Sequence, residues 1–154
     1  MSEFDLTGRV CVITGSGRGI GRAIAEGLAR HGGTVVLSGR TEATLTDAAS
    51  AIGERAGVHV VDVSHEADVL ALRDAVLARH GTIDVLVNNA GINPIFRGIE
   101  RTSLADWQGI IDINLTGTFL CCKHIGGAMV EHGRGSIINV TSVAGHVGLL
   151  RSVP

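Results

Sequence analysis

The chain has no tyrosine, one tryptophan, three phenylalanines, two prolines and a single lysine, Lys123. No phenol is therefore available anywhere in it as a proton donor. No apolar run approaches the roughly 20 residues that a membrane-spanning helix needs, so no membrane partner is expected. Thirteen Lys plus Arg against fifteen Asp plus Glu leave a net charge of −2. That balance lacks the basic excess that draws a protein to nucleic acid, and no such partner is expected. Cysteine is scarce and odd in number: Cys11, Cys121 and Cys122 show no C-x-x-C spacing and no paired histidines beside them. The seven histidines (31, 59, 65, 80, 124, 132, 146) form neither an H-x-x-x-H nor an H-E-x-x-H pattern, so no metal is expected. Free thiols fit a reducing compartment. The opening MSEFDLTGR, with two acids and no apolar stretch, lacks the marks of a secretory signal, and a cytoplasmic location is expected.

What remains is an apolar, glycine-rich chain. Hydrophobic residues make up 45% of the 154 positions and charged ones 18%, which excludes a disordered chain and suffices for one domain. Glycine, at 22 residues, occurs about twice as often as usual. Arg9 to Thr14 (RVCVIT) is a short β-branched run of the kind that forms buried parallel strands. From Gly19 to His31, Ile20, Ile24 and Leu28 recur every fourth residue, which predicts a helix stopped by Gly32-Gly33. The cycle repeats: strand Thr34 to Ser38, helix Glu42 to Ile52, strand Val58 to Val63, helix Glu66 to His80 and strand Ile83 to Val87. A loop containing Pro94 follows. Ser103, with Asp106 three residues on, predicts a capped start for a helical region reaching about His132, and Ser136 to Thr141 makes a fifth strand. Positions 144–154 read as loop. Alternating apolar strands and helices predict a doubly wound α/β fold, a parallel sheet with helices on both faces.

The strongest chemical signal is Thr14-Gly15-Ser16-Gly17-Arg18-Gly19-Ile20-Gly21, where the first strand turns into the first helix. In an open α/β sheet this is the ligand crevice, where backbone N–H groups and a helix amino terminus can hold a pyrophosphate. Glycine suits it because a Cβ would block close approach of the phosphates. The G-x-G-x-x-G spacing is not met; T-G-x-x-x-G-x-G is. An ordinary glycine-rich turn is the alternative.

With this motif the chain resembles the short-chain dehydrogenase/reductase family, and further segments match that family in order and spacing. Asp62-Val63 is expected to end the third strand, Asn88-Asn89-Ala90-Gly91 follows the fourth, and Asn114 and Ser142 stand where the family has two of its four catalytic residues. The resemblance implies a Rossmann-type doubly wound sheet, stopped here after about five strands. It also implies hydride transfer between a nicotinamide cofactor and a ketone or secondary alcohol. Asp62 would accept from the adenine amino group, with Val63 fixing the ring; by itself it reads equally as a turn-forming Asp. The Asn side chains of Asn88 and Asn89 would tie neighbouring strands, while Ala90 and Gly91 admit the ribose. By resemblance Ser142 hydrogen-bonds the substrate carbonyl, and Asn114 holds a water in a helix disturbed at that point. Taken alone they would be a turn serine and a helix-weakening Asn.

Cofactor choice is read at the end of the second strand, where a carboxylate suits the ribose 2′-OH of NAD and an arginine the 2′-phosphate of NADP. The chain there reads Ser38-Gly39-Arg40-Thr41, and Arg18 in the glycine loop adds a second guanidinium, so NADP is expected over NAD. Glu42 could still serve a 2′-OH. The family's remaining pair, a proton-transferring Tyr and a Lys four residues later, would begin about thirteen residues after Ser142, just beyond Pro154. The chain is thus expected to be the amino-terminal three-fifths of a family member and inactive alone, with a non-catalytic nucleotide-binding module or a non-functional truncated product as alternatives. The stripe Leu115, Phe119, Cys122, Gly126, Met129 suggests a helix-packing seam. By resemblance that helix lies at a subunit interface, so the complete form is expected to be a homo-oligomer acting on a small-molecule substrate.

Overall fold

A computed structural model describes residues 4–93 and 98–147; Pro94 and positions 148–154 of the expected tail loop lie outside the described residues. In chain order the elements are β1 (Val10–Thr14), α1 (Gly19–Arg30), β2 (Thr34–Gly39), α2 (Glu42–Ile52), β3 (Ala56–Val60), α3 (Glu66–His80) and β4 (Val85–Asn88). They continue with α4 (Leu104–Ile111), α5 (Gly117–Glu131) and β5 (Ser136–Asn139). The strands form one sheet in the order β3-β2-β1-β4-β5, every pair parallel. The chain therefore winds outward from β1 to β3, then crosses back to place β4 on the other side of β1. That reversal opens a crevice at the carboxyl ends of β1 and β4.

Alternation along the strands sorts the core into two layers. Val10, Val12, Val36 and Leu86 face Val69, Leu72 and Val76 of α3 and Leu120, Ile125 and Met129 of α5. Cys11, Ile13, Val35, Leu37 and Val87 face Ala25 and Ala29 of α1 and Leu45 and Ala48 of α2. Each large aliphatic side chain buried in these layers is worth about 1.5–3 kcal/mol. Burial pushes the Cys11 thiol up to about 11, aided by Asp84, and the Cys121 thiol up to about 12. No described helix is long and apolar enough to cross a membrane.

Several boundaries differ from those read in the sequence. The buried face of α1 is Gly21, Ala25 and Ala29, one position on from the expected Ile20, Ile24 and Leu28 stripe. The helix lies so close to the sheet that only small residues fit beneath it; Ile24 and Leu28 pack along its flank, and Ile20 is 66% exposed. The third strand runs Ala56–Val60 rather than 58–63. Asp62 and Val63 therefore lie beyond its end, in a turn where the Asp62 N–H donates to Asp68 Oδ2 at 3.0 Å. The helical region expected to reach about His132 is divided where the resemblance implies a disturbed helix: between α4 and α5 the hydrogen bonds widen to a π-helical segment, Asp112–Thr116, which contains Asn114. Ser103 caps α4 as expected, its Oγ accepting from the Asp106 N–H at 3.1 Å. The expected seam is half packed, with Gly126 and Met129 buried and Leu115 and Phe119 exposed.

At the amino end of the sheet, Asp84 holds three segments together. Its buried carboxylate accepts from the Val10 N–H at 3.0 Å and pairs with Arg9 at 3.1 Å and Arg134 at 3.2 Å. Its backbone N–H also donates to the Val10 carbonyl at 2.9 Å, and β4 begins at Val85 rather than Ile83. Both arginines are half exposed, so the ion pairs contribute little and the buried Val10 bond carries the effect. Asp84→Ala should lower stability by about 1–3 kcal/mol, and Asp84→Asn, which keeps an acceptor, by less. Urea unfolding with unchanged denaturant slopes would check this.

Candidate functional site

The switch point of the sheet holds a cavity of about 450 Å³. Its wall contains Gly15, Gly17, Arg18, Gly19 and Ile20 from the glycine loop, Arg40 from the end of β2, Asp62 and Val63 from beyond β3, and Asn89, Ala90 and Gly91 from beyond β4. Two loop residues singled out in the sequence, Ser16 and Gly21, are not on that wall. Ser16 is fully buried: its hydroxyl donates to the Ile13 carbonyl at 2.9 Å and accepts from the Ser38 N–H at 2.9 Å, which fastens the loop to β2. Gly21 sits under the loop, where a Cβ would collide with the Gly15 carbonyl and the Asn89 amide.

Local geometry explains the glycines. Gly15 has φ +65°, and a Cβ on it would come within 2.8 Å of Ala90 Cα. A side chain there is barred by conformation and space together. A Cβ on Gly17 would strike the Thr44 hydroxyl of α2, so the loop and the start of α2 touch. Beyond the loop, α1 begins with no side-chain cap and no acid in its first turn. Its leading N–H groups are thus available to an anion, and the helix dipole favours one.

The crevice is held open by bonds between the ends of β1 and β4. Thr14 Oγ1 accepts from the N–H groups of Asn89 and Ala90, both at 3.0 Å. The Asn89 side-chain amide donates to the carbonyls of Thr14 at 3.0 Å and Gly15 at 3.1 Å. One strand further out, the Asn88 amide donates to Asn139 Oδ1 at 2.9 Å, joining β4 to β5. Burial alone would raise the Asp62 carboxyl, but its two bonds from Ser64, together with the charge of Arg40, hold it below the ordinary range.

Asn114 lies in the π-helical segment, and both ends of its amide are engaged by one residue. Oδ1 accepts from the Ile92 N–H at 2.8 Å and Nδ2 donates to the Ile92 carbonyl at 2.9 Å. This pair docks the segment on the loop after β4 and leaves one lone pair and one N–H for another partner. Ser142, past the end of β5, starts a short 3₁₀ turn and accepts the Ala144 N–H at 3.1 Å; its own hydroxyl proton finds no acceptor among the described residues. It stands at the same end of the sheet as the cavity but is not on the cavity wall. Lys123 is far from these roles in function: it pairs with Glu66 at 2.8 Å, as His124 does at 2.6 Å, tying α5 to α3.

Sequence reasoning missed Thr14 as a holder of the crevice, and Thr41, Thr44, Leu45, Ile92 and Ile113 as parts of its wall. The two threonines had a signal, since they open the helix that follows the second strand. Ile113 had none, because only the docking of the π-helical segment brings it near.

The sequence profile of the short chain dehydrogenase family matches residues 9–154. The chain belongs to that family. It is 39% identical to glucose 1-dehydrogenase 2 of Bacillus subtilis over 90% of this chain and 56% of that protein. It is 43% identical to a 3-oxoacyl-[acyl-carrier-protein] reductase of Synechocystis sp. over 93% of this chain and 59% of that one. Among solved structures, a metagenomic short-chain oxidoreductase in complex with NADP superposes with a TM-score of 0.90 at 38% identity, covering 96% of this chain and 68% of that one. This short-chain dehydrogenase chain thus spans under two thirds of the length of the curated relatives it matches, from 56% to 60%.

Gly15→Ala is expected to cost about 1–2 kcal/mol for the left-handed backbone alone, more once Ala90 is displaced. Thermal melting should show that loss, and nucleotide titration should show weakened binding through the narrowed crevice.

Proposed function

We propose that this chain is the cofactor-holding part of a short-chain oxidoreductase that moves a hydride between NADP and a ketone or secondary alcohol, with NAD the weaker cofactor. The observation that carries this reading is the uncapped amino end of α1, opening through the glycine loop into a cavity bordered by Arg18 and Arg40. β2 ends in Ser38-Gly39 and Arg40 follows it, with no carboxylate at that position to favour a free 2′-OH. The metagenomic relative solved with NADP supports the same choice. Relatives named as a glucose 1-dehydrogenase, a D-threitol dehydrogenase and a 3-oxoacyl-[acyl-carrier-protein] reductase fit a hydride exchanged at a carbon that bears oxygen. Three free cysteines, Cys11 and Cys121 buried and Cys122 partly so, accord with work in a reducing cytoplasm.

In this reading the glycine-loop N–H groups hold the pyrophosphate, and Arg18 and Arg40 hold the 2′-phosphate. Asp62 accepts the adenine amino group beside Val63, while Asn89, Ala90 and Gly91 border the ribose. The bound cofactor supplies or accepts the hydride. Ser142 donates its hydroxyl to the substrate oxygen, and Asn114 uses its remaining amide valences to hold a water. Reduction leaves an alkoxide that needs a proton. The chain has no tyrosine to give one, and its single lysine is spent on Glu66. That gap favours a second reading, in which these 154 residues alone bind nucleotide without catalysis.

Two measurements bear on this. Arg40→Asp should reverse the cofactor preference, because a charge-assisted bond to the 2′-phosphate is worth about 1.5–3 kcal/mol. Calorimetry giving equal dissociation constants for NADPH and NADH in the parent chain would overturn the NADP assignment. The 154-residue chain should also show no turnover of ketones with NADPH, since losing a positioned general acid costs about 10²- to 10⁴-fold. The comparison is with a form continued through whatever the gene encodes after Pro154. Equal turnover by both would hand the proton step to another group, with His146 the first to test.

A further inference from the structure

The two oxygens of Asp62 have different partners. Oδ1 accepts from the Ser64 N–H at 3.0 Å and from the Ser64 hydroxyl at 2.7 Å, which uses both of its in-plane lone pairs. Oδ2 faces Arg40 Nη1 at 3.9 Å, an ion pair without a hydrogen bond. Arg40 comes from the end of β2 and Asp62 from just beyond β3, and both stand on the wall of the same cavity. The pair therefore bridges adjacent strand ends at one side of that cavity.

We infer that Arg40 and Asp62 form an electrostatic latch that a 2′-phosphate opens, the guanidinium exchanging the carboxylate for the phosphate and freeing Asp62 Oδ2 for the purine amino group. The inference rests on the proposed binding of NADP and adds to it a coupling between the two recognition residues. With Oδ1 saturated, Oδ2 is the oxygen left for a further donor, and the guanidinium competes for it. A 2′-phosphate, carrying more charge than a carboxylate and three acceptor oxygens, outbids Asp62 for Arg40. A nucleotide with a bare 2′-OH offers Arg40 no such exchange. It must either leave the guanidinium on Asp62 and forgo the amino contact, or part the pair with nothing in return. Arg40 is 59% exposed, so the pair is a weak one, and its effect on affinity should be a factor of about two to five.

The test uses 5′-AMP and 2′,5′-ADP, which differ only by the 2′-phosphate and do not involve the nicotinamide half of the site. Binding is measured by calorimetry at low ionic strength for the parent protein and for Arg40→Gln. The exposed position of Arg40 makes that variant safe for folding. The expected result is 2′,5′-ADP bound at least tenfold more weakly by the variant and 5′-AMP bound two- to fivefold more tightly. Unchanged or weaker 5′-AMP binding overturns the latch, even where the loss of 2′,5′-ADP affinity upholds the NADP reading. Equal binding of the two nucleotides by the parent protein overturns the NADP reading instead. A second measurement needs no nucleotide: carboxyl ¹³C NMR titration of Asp62 should give a higher pKa in Arg40→Gln than in the parent. An unaltered titration means that no pair exists and overturns the latch by itself.

Discussion

One threonine hydroxyl sets the geometry of the crevice. β1 and β4 are neighbours in the sheet but not in the chain, and the chain leaves their carboxyl ends in opposite directions. Thr14 Oγ1 receives the Asn89 and Ala90 N–H groups, and the Asn89 amide returns two bonds to the Thr14 and Gly15 carbonyls. These bonds satisfy backbone groups that the strand ladders no longer serve, which buried polar groups require. They also bring Ala90 so close to Gly15 that no side chain fits between. The glycine loop is thus shaped from beneath by β4 as much as by its own sequence.

The same closeness governs the helix that follows. Because Gly21 lies against the loop and the Asn89 amide, α1 settles onto the sheet through Gly21, Ala25 and Ala29. Helix packing and loop shape are one constraint here: a Cβ at position 21 would meet the Gly15 carbonyl and the Asn89 amide at once. Ser16 serves the same end from the other side, bonded to β1 and β2 instead of facing the ligand space.

This division shows why part of the molecule was legible in the sequence and part was not. β-branched runs such as RVCVIT and glycine clusters after strands carry their meaning locally, so the order of elements and the place of the loop could be read directly. The face of α1 could not, since a hydrophobic stripe says which residues are apolar and not how near the sheet lies. Gly21 and Ala25 become the contact only once tertiary approach is known. The end of β3 was misplaced for a related reason: Val61 and Val63 are apolar because they are buried under α3 and α5, not because they belong to the ladder. The π-helical turn at Asn114 agrees with the disturbed helix that the resemblance implies, but its docking on Ile92, a partner 22 residues away, is revealed by no local pattern.

The ligand space also divides along the chain. Every described residue on the cavity wall lies between Gly15 and Ile113, and β5 stands behind that wall, paired with β4 and bracing Asn88 through Asn139. The described wall is therefore built before β5 begins, while Ser142 stands past the end of β5. The crevice is thus assembled from the ends of the first four strands and the segments that follow them. The shape of the crevice depends on how β1 and β4 meet, a contact that β5, paired only to the far edge of β4, does not enter.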